Sequence, residues 1–338
     1  MKKKMNTKEA LLALFEKHKG RFFSGEEIAE KLEVSRTAVW KAVESLRAEG
    51  YSIDAQKSKG YCLSPDTDIV SSQGVEKYIK KKMRLSIDVY DEVVSTNTLL
   101  KELAADGAKE GKVIIANSQT GGKGRLGRSF YSPLDTGLYI SVLLRPSDIP
   151  AQEALKITTM AAVAACEAIE SVLEDTDETD RPLIKWVNDV FLRERKAVGI
   201  LTEASISMES GNLEYAVLGI GFNVYAPKGG FPKDIKDIAG SILDERIPDA
   251  KNKIAAVFLQ RFFEIYRADD HENYERIYKE KSLVIGKDVD VISTGSGEKR
   301  AAKVLDITSD CNLLVEYKDG TTGVLSSGEV SIRPKSRR

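Results

Sequence analysis

Between Val113 and Pro133 the chain reads VIIANSQTGGKGRLGRSFYSP: a short apolar run, then Gly121, Gly122, Gly124 and Gly127 interleaved with Lys123, Arg125 and Arg128. The β-branched Val113-Ile114-Ile115 predicts a buried strand. Glycines permit tight turns and close backbone approach to a ligand, and the cations between them answer negative charge, so the loop suits a phosphate or a carboxylate. Gly122-x-Gly124-x-x-Gly127 has the spacing of a dinucleotide fingerprint. That fingerprint needs a helix next, whereas Ser129 to Pro133 leads towards another strand, Leu138 to Leu144. A kinase loop is excluded because no His-Arg-Asp or Asp-Phe-Gly triplet occurs, and a Walker loop because no Gly-Lys-Ser/Thr does.

Other chemistries are limited by what is scarce. The two histidines, His18 and His271, lie in charged helical surroundings, which argues against a Ser-His-Asp hydrolase or a His-rich metal site. Catalysis is left to Lys, Arg, Asp, Asn and backbone groups. Cys62, Cys166 and Cys311 are far apart and odd in number, which points to a reducing compartment and away from a disulfide framework or a zinc site. Lys8, Glu9, Glu16 and Lys17 interrupt any signal-like apolar run after Lys2-Lys3-Lys4, and the apolar stretch Ile157 to Ile169 is too short to span a bilayer. The expectation is a cytoplasmic protein with no membrane partner. Net charge is -1, so no global basic surplus advertises nucleic acid, but residues 1–60 carry thirteen Lys/Arg against nine Asp/Glu.

A chain of 338 residues suggests two or three domains, and its patterning changes character along its length. Thr7 to Lys17 has helical spacing. Ser24 and Glu27 resemble a capping box before Ile28, Ala29 and Leu32. Leu32 to Ser35 forms a tight turn, and Ser35 caps a third helix that carries Val39, Trp40, Val43 and Leu46 on one face and ends at Gly50. A hairpin follows, Tyr51 to Ile53 and Tyr61 to Leu63, turning near Ser58-Lys59-Gly60. Helix, helix, turn, helix, hairpin is a winged helix-turn-helix pattern. It puts Ser35, Arg36, Thr37 and Lys41 on an outer face suited to bases and phosphates, with Lys57 and Lys59 in the wing.

Ser64 to Asp68 reads as a linker, followed by a charged helix from Val75 to Lys82. From Leu85 strands and helices alternate: strand Ser86 to Tyr90, helix Asn97 to Ala105, strands at Val113 and Leu138, and a long apolar helix from Pro150 to Leu173. Strands Leu183 to Trp186, Ala197 to Glu203 and Glu214 to Ile220 follow, then a helix from Ile254 to Tyr278. This predicts an α/β domain with a mixed sheet. Five short β runs from Leu283 to Arg333, punctuated by Gly286, Gly295, Gly297, Gly320, Gly323 and Gly328, suggest a small SH3-like β-barrel. The expected organisation is a multidomain α/β (α+β) protein: a winged helix over 1–66, a linker and connecting helix over 67–82, an α/β domain over 83–280 and the β-barrel over 281–338.

Four segments then fall in a recognisable order: Ser95-Thr96-Asn97, Gln119 to Ser129, Lys185-Trp186-Val187-Asn188-Asp189 with Arg195 to Ile200, and Gly219 to Asn223. Their order and spacing resemble the biotin-protein ligases, and the winged helix makes the whole chain resemble the bifunctional type, biotin ligase and biotin operon repressor together. The resemblance implies a two-step reaction. Biotin attacks the α-phosphate of ATP to give biotinyl-5'-AMP, and a lysine of a carboxylase biotin-acceptor domain, as in acetyl-CoA carboxylase, then takes the biotin. It implies catalytic roles for Lys196, Arg125 and Asp189. It implies biotin contacts for Ser95, Thr96, Asn97, Gln119, Lys123, Gly124, Arg125 and Lys196, and ATP contacts for Arg128, Asn188 and Asn223. Mg2+ is expected to arrive with ATP rather than in a protein cage. Operator DNA and a homodimer in the adenylate-bound state are the other implied partners. Three residues depart from the family pattern: Lys123 where Arg is common, Val187 in place of Pro, and Phe130 where Trp is often seen. A non-catalytic biotin-sensing repressor and a lipoate-protein ligase are the competing readings.

Overall fold

The computed structural model of the chain describes residues 5–146, 150, 153–173, 180–207, 209, 211–268, 272–293, 298–326 and 330–334. His271, Gly295, Gly297, Gly328 and the Lys2-Lys3-Lys4 tract lie outside them. Two compact units form, one from Met1–Lys82 with Glu245–Ala256 and the other from Met83–Asp244 with Val257–Arg338.

The first unit opens with three helices, α1 (Thr7–Lys17), α2 (Gly25–Leu32) and α3 (Arg36–Ala48), and a hairpin of β1 (Ile53–Gln56) and β2 (Gly60–Leu63). Asn6 caps α1 in a full capping box with Glu9. Ser24 caps α2 by accepting from the Glu27 N–H at 3.0 Å, and Ser35 caps α3 by accepting from the Ala38 N–H at 3.2 Å. The core is Leu11, Phe15, Phe23, Ile28, Val39, Val43, Leu46 and Leu63. Trp40 does not join it: the expected shared face holds Val39, Val43 and Leu46, while Trp40 is 54% exposed. At about 100° per residue, Trp40 lies roughly 60° beyond Val43, the near edge of the stripe, and about 100° or more from Val39 and Leu46. At the wing, Gly60 has φ +95°, and a Cβ there would sit 2.0 Å from the Phe23 carbonyl oxygen, so only glycine fits. The charged helix expected over Val75 to Lys82 is instead α4 (Ser72–Glu76), capped by Ser71, and a separate 3-10 turn at Lys81–Met83. A continuous helix would set Lys77 beside Lys80 and Lys81, three and four residues on, and such like-charge pairs disfavour it.

The second unit is built on a seven-stranded mixed sheet. Its strands are β3 (Ser86–Val93), β4 (Lys112–Gln119), β5 (Gly137–Leu144), β6 (Leu183–Lys185), β7 (Asp189–Leu192), β8 (Arg195–Ile206) and β9 (Leu213–Asn223), in the order β3-β4-β5-β9-β8-β7-β6. Among these seven strands β3 and β4 are the one parallel pair between neighbours, joined by α5 (Thr96–Ala105), as a parallel pair requires a crossover. Every residue of β5 is buried. The helices explain this: α5 packs on β4, β5 and β9, and the apolar α6 (Ala154–Glu170) packs on β6, β7, β8 and β9. Asn188 lies in the turn of a hairpin in which Asp189 opens β7 and pairs with Lys185 at the end of β6. The helix expected over Ile254 to Tyr278 is two: α7 (Ala250–Tyr266), whose first turns belong to the first unit, and α8 (Glu272–Glu280).

Five antiparallel strands end the chain: β10 (Asp288–Ser293), β11 (Lys299–Ile307), β12 (Leu313–Tyr317), β13 (Thr322–Leu325) and β14 (Val330–Pro334). Their order is β13-β12-β11-β10-β14, so the pairing among the described residues leaves β13 and β14 at the two edges. No described helix is long and apolar enough to cross a membrane.

Candidate active site and candidate nucleic-acid interface

The start of α5 is a polar knot inside an apolar domain. Ser95 accepts from the Thr98 N–H and turns the chain into the helix, so that Ser95, Thr96 and Asn97 are each no more than 5% exposed. Gln119 at the end of β4 accepts through Oε1 from the Thr96 N–H at 2.9 Å, and its Nε2 donates to Ser132 Oγ at 3.0 Å. Ser141 Oγ lies 2.6 Å from Asn97 Oδ1 and 2.8 Å from Thr96 Oγ1. Because Oδ1 can only accept, the Ser141 proton goes to Asn97, and the single Thr96 hydroxyl proton has two acceptors in reach, Ser141 Oγ and Gln119 Oε1 at 3.1 Å. Asn97 Nδ2 donates to Glu203 Oε2 at 2.8 Å, and Lys101 pairs with Oε1 at 2.7 Å. Burial alone would raise the Glu203 carboxyl, but hydrogen bonds from Lys101 and Asn97 and the charge of Lys123 outweigh it and hold it below its ordinary value.

The glycine-basic loop closes on itself. Lys123 bridges Ser129, the Gly124 N–H donates to the Arg128 carbonyl at 2.7 Å, and the Phe130 N–H donates to the Gly122 carbonyl at 2.9 Å. The Gly121 N–H donates to the Val94 carbonyl. Those donors are therefore spent within the fold. The tip is a 3-10 turn at Arg125–Gly127 with Leu126 at φ 56°, and it leaves Leu126 64% exposed.

Arg125 reaches across to the turn before β7 and donates to Asn188 Oδ1 at 2.9 Å. Burial draws its guanidinium below the ordinary value, opposed by the charge of Asp189. Asn188 in turn donates to the Ile200 carbonyl and to Asp189 Oδ1, each at 3.0 Å. Lys196 on β8 pairs with Asp189 Oδ1 at 2.7 Å, both side chains being about three-quarters buried. Asn223 donates to the Lys196 carbonyl at 3.3 Å. The Trp186–Val187 peptide in this turn is cis. Phe130 lies over bare backbone: a Cβ on Gly221 or Gly199 would come within 2.4 or 2.8 Å of its ring.

One cavity gathers Ser95, Thr96, Asn97, Gln119, Lys123, Gly124, Arg125, Asn188 and Lys196, with Phe130, Ile200 and Leu201 in its wall. Asp189 and Asn223 stand behind that lining, bonded to Lys196. Arg128 is exposed and does not reach the cavity lining. A broader cleft of about 730 Å³ shares Arg125, Ile200 and Leu201 with it. Sequence reasoning missed Ser132, which holds Gln119, and Ser141 and Glu203, which hold Thr96 and Asn97. The available signal was weak: Ser141 is a single small polar residue in a strand otherwise rich in large apolar side chains, and Glu203 is one carboxylate within the long β8. Asn188 and Asp189 already accept from Arg125 and Lys196, and no described group of three His, Cys, Asp or Glu residues is placed to hold a metal ion.

The other sequence-predicted set lies on the first unit. Ser35, Arg36, Thr37, Lys41, Lys57 and Lys59 are all exposed. Arg36, Thr37 and Lys57 line a groove between α3 and the wing, together with Trp40 and Tyr61. Elsewhere, Cys62, Cys166 and Cys311 are buried free thiols, each pushed up chiefly by burial and so poorly nucleophilic.

A winged helix, a mixed-sheet domain with this polar cavity and a C-terminal antiparallel sheet define a ligase fused to a DNA-binding module. Comparison with known proteins agrees. Residues 7–62 match a helix-turn-helix domain, 89–223 the biotin/lipoate A/B protein ligase family, and 284–333 the biotin protein ligase C-terminal domain. The chain is 38% identical to the bifunctional ligase/repressor BirA of Bacillus subtilis over 69% of each chain. It is 26% identical to that of Salmonella typhimurium over 93% of this chain and 94% of the relative. Among solved structures, the biotin protein ligase of Aquifex aeolicus in complex with biotin and ATP superposes with a TM-score of 0.59 at 26% identity, covering 74% of this chain and 99% of that one. The chain belongs to the family of bifunctional biotin-protein ligases and biotin operon repressors.

Proposed function

We infer that the chain activates biotin with ATP, transfers it to an acceptor lysine, and represses transcription in response to biotin. The observation that carries the ligase reading is the meeting, in one cavity, of residues from four separated segments. Biotin's carboxylate and the α-phosphate repel each other until their charges are neutralised. Arg125 and Lys196, both at the cavity, supply that neutralisation as the carboxylate oxygen bonds to phosphorus and pyrophosphate leaves. The buried polar knot of Ser95, Thr96, Asn97 and Gln119 suits the hydrogen-bonding biotin head, and Arg128, Asn188 and Asn223 serve the nucleotide. In the second step the acceptor lysine's amine attacks the carbonyl carbon of the anhydride and AMP departs. Asp189, fixed by Lys196 and Asn188, orients that amine. Mg2+ accompanies the ATP.

The acceptor is the biotin domain of a carboxylase, and the setting is the cytoplasm, to which three reduced buried thiols are suited. The exposed cations of α3 and the wing support operator binding, and a single winged helix reads few base pairs, so two copies on a two-fold operator are required. Incubation with biotin, Mg-ATP and a candidate acceptor domain should add one biotinyl group to the acceptor by mass. A reaction with lipoate but not biotin would favour the lipoate reading, and adenylate binding without pyrophosphate release would favour a sensor. Gel shifts at fixed salt should tighten when biotin and ATP are both present and relax with excess acceptor.

A further inference from the structure

We propose that Trp40 is a base-reading residue of the operator interface, its indole packing against a thymine 5-methyl group in the major groove. The proposal rests on the reading of the first unit as the operator-binding module. Helix α3 fills its core side with Val39, Val43 and Leu46, each 1% exposed or less, and leaves Trp40 54% exposed on the side that carries Arg36, Thr37 and Lys41. Arg36 is one helical turn before Trp40, so the two stand side by side. Trp40 also lines the groove towards the wing, where Gln56, Lys57 and Tyr61 form the other wall.

A large apolar ring gains nothing from water and contributes nothing to this core, so its position calls for a partner that covers it. Around the ring the cations Arg36, Lys41 and Lys57 outnumber the one carboxylate of the groove, Glu26, which favours a polyanion, and the helix N-terminus is the part of a recognition helix that meets base edges. Within the major groove the thymine methyl is the apolar feature, and no other base presents one. Arginine and lysine contacts set register and attraction, whereas Trp40 would distinguish thymine from cytosine.

The indole's exposed half covers on the order of 100 Å² when seated. At about 25 cal/mol per Å² its loss corresponds to roughly a 30- to 100-fold fall in affinity. The test uses the full chain with biotin and Mg-ATP, and an operator duplex selected by the wild-type chain from a random-sequence pool. Trp40→Ala should lose about that factor for the selected duplex. Its slope of log affinity against log salt should stay unchanged, because no phosphate contact is removed. Trp40→Phe should recover most of the loss, and pyrophosphate release should be unaffected in both. Replacing individual thymines by deoxyuridine should weaken the wild type at one position per half-site and leave Trp40→Ala indifferent there. The chain has two tryptophans, and Trp186 is only 8% exposed, so protection of the emission from acrylamide by the duplex reports on Trp40. If Trp40→Ala selects and binds the same duplex as the wild type, the proposal is overturned while operator binding stands. If the wild type enriches no duplex, both readings fall. Acrylamide protection that follows protein concentration without DNA would assign Trp40 to contact between copies and also overturn it.

Discussion

Lys196 and Arg125 differ in how they are held. Lys196 is ion-paired to Asp189 at 2.7 Å on a strand of the sheet, whereas Arg125 stands on a loop tip and is tied across the cavity to Asn188. A cation on a rigid strand is preorganised for charge that develops during reaction. Lys196→Ala should therefore slow pyrophosphate release by about 10² to 10³, the range for loss of one charge-stabilising donor, with a smaller loss of biotin affinity. Wild-type release by this variant would refute the role. Arg125→Gly removes a contact and loosens the loop together, so the reactive adenylate should escape and label lysines without selection. Acceptor-only labelling, read by mass after mixing with a bystander protein, would count against the loop as a cover.

The elements that present these residues are braced from outside the sheet. The turn between β6 and β7 is held at Val187, whose carbonyl accepts from the Tyr278 hydroxyl of α8 at 3.1 Å. It is also held at Trp186, whose Nε1–H donates to the Cys311 carbonyl before β12 at 2.8 Å. Burial pushes the Tyr278 phenol well above its ordinary value, so it remains a donor at neutral pH. Asn188 and Asp189 follow directly in the chain, which makes α8 and the C-terminal sheet supports of the nucleotide side of the cavity. Tyr278→Phe should raise the KM for ATP roughly tenfold, from the ~1–2 kcal/mol cost of an unsatisfied buried carbonyl, and leave the KM for biotin unchanged. Equal shifts in both constants, or a lowered Tm with neither shifted, would reduce Tyr278 to a packing role.

At the scale of a whole unit, the first one is closed by charge as well as by its apolar core. Glu16 on α1 pairs with Lys77 at 2.8 Å and Lys19 at 3.3 Å, while Asp249 accepts from Lys19 at 2.8 Å, the Tyr78 hydroxyl at 2.6 Å and Asn252, and also pairs with Lys77. These residues are scattered over more than two hundred positions of chain, so the network exists only once the unit has formed. Burial alone would raise the Asp249 carboxyl, but the bonds from Lys19, Lys77, Tyr78 and Asn252 outweigh it and bring it below its ordinary value. A carboxylate depressed on folding contributes stability that is present above the unfolded pKa, about 3.9, and is lost as pH falls through the lower folded value. Asp249→Asn keeps a residue type that tolerates the positive φ of 63° at this position but leaves buried lysines short of a partner. It should cost about 3 kcal/mol at pH 7 and flatten the acid limb of the unfolding curve. An unchanged midpoint in urea would show that Glu16 alone suffices.

By itself the sequence determined the periodic and local features. The winged helix followed from apolar spacing and from caps at Ser24 and Ser35. The strand order in the chain followed from β-branched runs, and the glycine-basic loop from its composition. These signals lie within a few residues of one another, where the backbone's own preferences decide. Only the tertiary structure decided that Arg125 meets Asn188 and that Lys196 meets Asp189. It also placed Ser141 and Glu203 in support of Asn97, and turned Trp40 away from the core. Each of these depends on which strand lies beside which, here β9 between β5 and β8, and on which face of a helix finds a partner. Pairing between distant segments carries no local signature, because the free energy that selects it comes from burying the assembled faces together.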